Sequence, residues 1–149
     1  IDKWLGEGKW NLIHFNWGLH DLKFMGPNGE NLYPKEKGGK VQVPIDEYEK
    51  NLDKLVVRMK KTGAKVVWRN TTPVPEAKVR PRRIPADVVS YNAAARRVMQ
   101  KHGVPIHGLY SFALARLEKI QLPANVHFTP GGSAILAGDV AKVILDALK

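Results

Sequence analysis

Five histidines, three serines and no cysteine set the chemical repertoire of this 149-residue chain. Histidine takes up and returns a proton near neutral pH. Two of the five stand in polar segments that read as loops: His20 in FNWGLHDL (residues 15–22), beside Asn16, Trp17, Gly18 and Asp21, and His127 in ANVHFTPGGS (residues 124–133). A third polar segment, RNTTPVPE (residues 69–76), offers Arg69, Asn70 and Glu76, and the basic run KVRPRR that follows it carries Arg82. The lack of cysteine excludes disulfide frameworks, thiolate zinc sites, iron–sulfur clusters and cysteine nucleophiles. Ser90, Ser111 and Ser133 each lack the GxSxG context of a nucleophile turn. General acid and base work by histidine with a carboxylate needs neither residue type, and no metal or cofactor is expected.

Such groups act only if the fold gathers them. Short apolar runs at residues 11–17, 64–68 and 104–107 have the character of buried parallel strands. Between them Tyr48, Leu52, Leu55, Val56 and Met59 trace one stripe of a helix over 45–62, ended by Gly63. A second helix over 85–102 carries Val88, Tyr91, Ala95, Val98 and His102 on one face and stops at Gly103. A shorter pattern includes Leu109, Phe112, Ala113 and Leu117, and a last helix is expected over 133–148. Alternating strands and helices of these lengths imply an α/β fold, a parallel sheet between two helical layers. Ligands of such sheets sit beyond the carboxyl ends of the strands, where the three polar segments would line one cleft.

Several of these residues also have plainer readings. His14 and His107 alternate with apolar neighbours in strands and are expected to be packed, while His102 reads as a helix-end residue. Ser133 stands where a helix cap is expected, and Glu76 in a Pro-rich loop reads as a solvated carboxylate. Trp10, Trp17 and Trp68 bracket strands as core or cleft walls, with Trp17 the best placed to meet a sugar or aromatic group.

The runs WNLIHFNWGLHDL, WRNTTPVPE and VHFTPGGSAILAGDVAKVI resemble three successive blocks of the SGNH, or GDSL, hydrolases. The likeness is closest to an esterase-like branch whose third block reads GLHDL. It implies a flavodoxin-like three-layer fold over residues 1–149 as one domain, without the first strand–helix–strand unit and its GDS serine. It implies His127 as the base and His20 at the oxyanion position. Asp21 would bond backbone around the turn after the first strand, and the base-orienting aspartate falls at Ala124, with Asn125 beside it. With no carboxylate there, the motif offers nothing to hold the imidazole of His127. Asn16, Trp17, Gly18, Arg69, Asn70, Glu76 and Arg82 are the candidate substrate contacts.

The expected function is hydrolysis of an ester, an acylated carbohydrate or small molecule. The alternatives are a glycoside hydrolase in which Asp21, Glu76 or another carboxylate works with His127, Asp21 then being catalytic, or a non-catalytic carbohydrate- or anion-binding module on the same fold. The net charge of +10 comes with no aromatic residues interleaved in the basic run, so no specific nucleic-acid partner is expected. Neither a membrane-length apolar stretch nor a signal-peptide pattern is present, so no membrane partner is expected, and the compartment is left open. A chain starting at the family's third strand would leave residues 11–17 as an open sheet edge. A homo-oligomer burying that edge is therefore expected.

Overall fold

The computed structural model describes residues 1–31 and 33–149. Its centre is a three-stranded parallel sheet of β1 (Leu12–Phe15), β4 (Lys65–Arg69) and β5 (Ile106–His107), in the order β1-β4-β5. Leu12 pairs with Lys65 and Phe15 with Trp68, while Trp68 pairs with Ile106 and Arg69 with His107. Laterally paired residues point to the same face of a parallel sheet and alternate along each strand. Phe15, Val66, Trp68 and Ile106 therefore face one way, and His14, Val67, Arg69 and His107 the other.

The first face is covered by α2 (Ile45–Lys60) and α3 (Pro85–His102). Tyr48, Leu52, Val56 and Met59 of α2 meet Val88, Tyr91, Ala95 and Val98 of α3 in one core with Phe15, Val66 and Trp68. α3 stops before Gly103 as expected, whereas α2 ends at Lys60, two residues short of the expected 62, and Gly63 closes the turn that follows; Gly63 and Gly103 adopt φ of 78° and 63°, conformations that glycine reaches without steric cost. The second face is covered by α4 (Leu109–Leu114), α5 (Leu117–Ile120) and α6 (Pro130–Leu148). There Leu109, Ala113, Ile120 and Leu136 make a smaller core with Phe112, Phe128 and Val140 around it. This is the expected α/β arrangement, with β1 and β5 as the outer strands of the three.

Three features depart from the sequence reading. The strand expected over 11–17 is only Leu12–Phe15, so Asn16 and Trp17 belong to the following turn. The glycine-rich stretch after it contains a small antiparallel pair, β2 (Phe24–Met25) and β3 (Lys40–Val41), fixed by Gln42 N–H donating to the Lys23 carbonyl at 2.8 Å. The last helix begins at Pro130 and not at Ser133. Thr129 caps it, its hydroxyl accepting from the Gly132 N–H at 2.9 Å, and Ser133 sits in the first turn with its N–H bonded to the Thr129 carbonyl. A four-residue α1 (Asp2–Leu5) precedes β1.

Candidate active site

The turn leaving β1 is held from several sides at once. The Asn16 amide donates to the Arg69 carbonyl at 2.6 Å and to the Thr71 hydroxyl at 3.2 Å, and that hydroxyl donates to the Trp17 carbonyl at 3.3 Å. Tyr48 donates its hydroxyl to the same Trp17 carbonyl at 2.9 Å. Gly18 has φ of 144°, and a Cβ there would lie 2.4 Å from the Thr71 oxygen, so only glycine lets the turn close. Asn92 of α3 locks Thr71 in turn, accepting from its N–H and donating to its carbonyl, both at 2.9 Å. Arg83 donates to the Leu19 carbonyl at 2.7 Å.

These bonds assign several candidate residues to scaffolding. Asn16 ties the ends of β1 and β4 together, and buried Asn70 accepts from the Tyr110 N–H in the first turn of α4 at 2.6 Å. Arg69 is half-buried at the end of β4, with burial lowering its pKa. Gly18 shapes the turn that presents His20, which is exposed, and Asp21, which is partly buried. Asp21 and Trp17 line a cavity of about 540 Å³ together with Tyr48 and Arg58. Burial raises the Asp21 carboxyl, against the backbone amides of Asp21 and Gly18 and the neighbouring His20, which pull it down. The Tyr48 phenol is pushed well up by burial and then by Asp21 and Tyr91.

His127 lies on a tight turn in which Leu122 N–H donates to the His127 carbonyl at 3.0 Å and Ala124 takes a positive φ of 49°. The expectation that nothing holds its imidazole is corrected here. His127 Nδ1 is 2.7 Å from Asn125 Oδ1, which also accepts from the His127 N–H at 3.0 Å. An amide oxygen can only accept, so in the neutral ring this contact puts the proton on Nδ1 and leaves Nε2 with its lone pair. The imidazole is exposed, which suits a group that must reach a ligand. The turn is fixed to the rest of the fold by Thr129 N–H donating to the Ile120 carbonyl at 2.8 Å and by the buried Gln121 amide donating to the Pro73 carbonyl at 3.1 Å. A Cβ at Gly132 would lie 2.2 Å from the Ile120 carbonyl, so the start of α6 rests directly on this turn.

Not all the candidates converge. Among the described residues no hydrogen bond joins His127 with His20 or Asp21. Arg82 lines a different cavity with Pro34, Glu36, Lys78 and Arg80, and Glu76 is exposed on its loop. The three serines lie on helices, with Ser90 donating to the Ala86 carbonyl one turn back. Among the described residues no group of three His, Asp or Glu side chains is disposed to hold a metal ion.

A second polar constellation lies on the α6 face. His107 Nε2 meets Asp139 Oδ2 at 2.7 Å, and His107 Nδ1 meets His14 Nε2 at 3.0 Å. With Asp139 ionised and both rings neutral, the chain of bonds runs one way: His107 donates to Asp139 and accepts from His14, whose Nδ1 keeps its lone pair. The packed role expected for both histidines thus comes with a carboxylate partner on α6. Burial, then His107 and then Arg69 lower the pKa of His14 to about 4. His102 meets Asp53 of α2 at 2.7 Å.

No family profile matches the chain. Over 139 residues it is 26% identical to the GDSL esterase/lipase CPRD49 of Arabidopsis thaliana, a match covering 85% of this chain and 54% of the relative. The chain thus spans about half the length of that curated relative. Among solved structures it is similar to a lipase/acylhydrolase from Enterococcus faecalis, with a TM-score of 0.60 and 20% identity over 72% of this chain and 54% of the other. It is also similar to LAE5, an α/β hydrolase enzyme from the metagenome of Lake Arreo, Spain, with a TM-score of 0.56 and 22% identity over 71% and 48% of the two chains. Parallel sheet, flanking helices and these likenesses agree: the chain has an SGNH/GDSL hydrolase-like fold.

Proposed function

We propose that the chain provides the base-bearing part of an esterase-type hydrolase, acting on an acylated carbohydrate or small ester with His127 as general base. The observation that carries this reading is the contact between His127 Nδ1 and Asn125 Oδ1, which in the neutral ring leaves Nε2 free to take a proton on an exposed turn fixed by backbone bonds. Water attacks the acyl carbon as its proton passes to Nε2. The tetrahedral oxyanion then collapses, and the leaving alkoxide takes that proton back, releasing acid and alcohol. His20, on the turn shaped by Gly18, supports the oxyanion with a ring N–H. Trp17 offers an apolar wall for the alcohol portion.

Asparagine orients the imidazole but adds no negative charge to stabilise its protonated form, so the base is weaker than one paired with a carboxylate. A panel of short-chain nitrophenyl esters and nitrophenyl glycosides tests the reading. Ester turnover is expected, lowered by about a hundredfold to ten-thousandfold in His127→Ala. Asn125→Asp should raise kcat and shift the lower limb of its pH profile upward, while the nearly isosteric side chain leaves the fold intact. Full activity in His127→Ala, or turnover of glycosides alone, overturns the assignment. The second outcome would favour Asp21, whose raised carboxyl shares a cavity with Trp17.

A further inference from the structure

We infer that the cavity between the short turn Lys35–Lys37 and the basic loop of residues 78–82 binds a phosphate group carried on a small molecule. This cavity, of about 620 Å³, is lined by Pro34, Glu36, Lys78, Val79, Arg80 and Arg82. Its volume falls among those of small-molecule sites, roughly 300–1,000 Å³, and leaves room for an organic body beside the phosphate. None of the lining residues belongs to the turns that carry His20 and His127, so the site stands apart from the esterase reading.

Arg82 carries the argument. Its side chain is half-buried and its Nε is shielded from water, yet among the described residues no acceptor meets that N–H. Arginine keeps its charge throughout the pH range of folded proteins, so a shielded donor of this kind is costly unless an acceptor satisfies it. Its neighbour Arg83 shows the usual solution. Arg83 is 3% exposed and donates through Nε to the Leu19 carbonyl at 2.7 Å and through a terminal nitrogen to the Pro81 carbonyl at 3.2 Å. Of two adjacent arginines, one is engaged by the fold and the other has a donor to offer. With no bond holding it, the Arg82 guanidinium can turn to present Nε and a terminal nitrogen together to one anion, the two-point geometry that phosphate suits.

Charge selects the ligand. Lys78 and Arg80 are exposed on the same loop, and among the described residues none of the three cations is in an ion pair, although Glu36 lines the same cavity. Three cations against one carboxylate leave two positive charges in excess, and a phosphate monoester brings about −1.5 to −2 near pH 7. A carboxylate ligand would neutralise half of that. The backbone on both sides is fixed beforehand: Phe24 N–H donates to the Arg82 carbonyl at 2.9 Å, Val79 is buried in the larger core, and the Pro34 carbonyl accepts from the Lys37 and Gly39 N–H groups, both at 3.1 Å. Walls already in place reduce the ordering that binding requires.

Isothermal titration calorimetry tests the inference, with glucose 6-phosphate as the probe at about 0.1 M salt, where charges more than about 10 Å apart are screened. The readout is binding and not turnover, so its failure is separate from failure of the esterase reading. One molecule should bind per chain. Arg82→Gln should weaken binding by at least about tenfold, and Arg82→Lys, which keeps the charge without the Nε fork, should do nearly the same. Lys78→Gln with Arg80→Gln alters only exposed side chains and should also weaken it by about tenfold, which keeps the site testable if circular dichroism shows the Arg82 variants misfolded. Arg96→Gln removes a charge from the exposed side of α3 and should leave the affinity unchanged. Inorganic phosphate, without an organic body, and glucose 6-sulfate, with one charge, should each bind more weakly. Absence of saturable binding by both glucose 6-phosphate and inorganic phosphate overturns the inference, as does equal weakening by Arg96→Gln, which would trace binding to overall charge. Sulfate ester or inorganic phosphate binding as tightly as the phosphate ester overturns the choice of ligand.

Discussion

On the α2–α3 face of the sheet Phe15, Val66 and Trp68 disappear under Tyr48, Leu52, Val56 and Tyr91, with every one of these side chains at most 8% exposed. One residue along in the same strands, the opposite face carries His14, Val67, Arg69 and His107. Alternation alone separates an apolar interior from a row of ionisable groups. The first face derives its stability from area removed from water and has little tolerance for shape change. The second must satisfy each polar group it covers, since a buried ring nitrogen without a partner is costly. Asp139 on α6 meets that demand for His107, and His107 meets it for His14.

The contrast makes quantitative predictions. Trp68→Ala, at the fully buried centre of the apolar face, should lower unfolding free energy by about 3–5 kcal/mol, measured by urea denaturation. A loss below about 1 kcal/mol would mean that this face is not close-packed. Asp139→Ala should cost about 1–3 kcal/mol by leaving the His107 N–H unpaired, and His107→Leu in the same background should recover part of it. Absence of that recovery would show that Asp139 acts through something other than His107.

The smallest effect is one of pH. His14 in the fold titrates at about 4, against an ordinary histidine value of 6.5, so the unfolded chain binds more protons between these limits. Its contribution to stability is therefore complete above pH 6.5 and is lost as pH falls toward 4. His14→Gln should flatten that part of the stability–pH curve. An unchanged slope would assign the acid sensitivity elsewhere.

The apolar face is the part that the sequence makes readable. Tyr48, Leu52, Val56 and Met59 repeat at helical spacing, and Gly63 and Gly103 punctuate two long helices whose observed starts coincide with those expected. The polar face is harder, because its organisation rests on single contacts between distant residues. Asp139 is the one ionisable residue in the first twelve positions of α6, a signal that a sheet-facing partner is needed, but nothing local names His107. Asn125 was readable as the neighbour of the missing aspartate. Its bond to His127 depends on the positive φ at Ala124, which no residue type there announces. The β2–β3 pair has two residues per strand, too few for any periodicity to show.

The histidine–histidine–aspartate chain also bears on how the molecule assembles in time. Its links join residues 93 and 32 positions apart, whereas α2, β4 and α3 follow one another within residues 45–102. Closing long loops forfeits more chain entropy before any contact rewards it, so the helix–strand–helix half can gather first. The contact between His14 and His107 must wait until both outer strands have docked on β4, and Asp139 enters only when the final helix arrives. A ribosome extending this chain would have passed both histidines, and the 32 residues from His107 to Asp139, before that set of bonds had its last member.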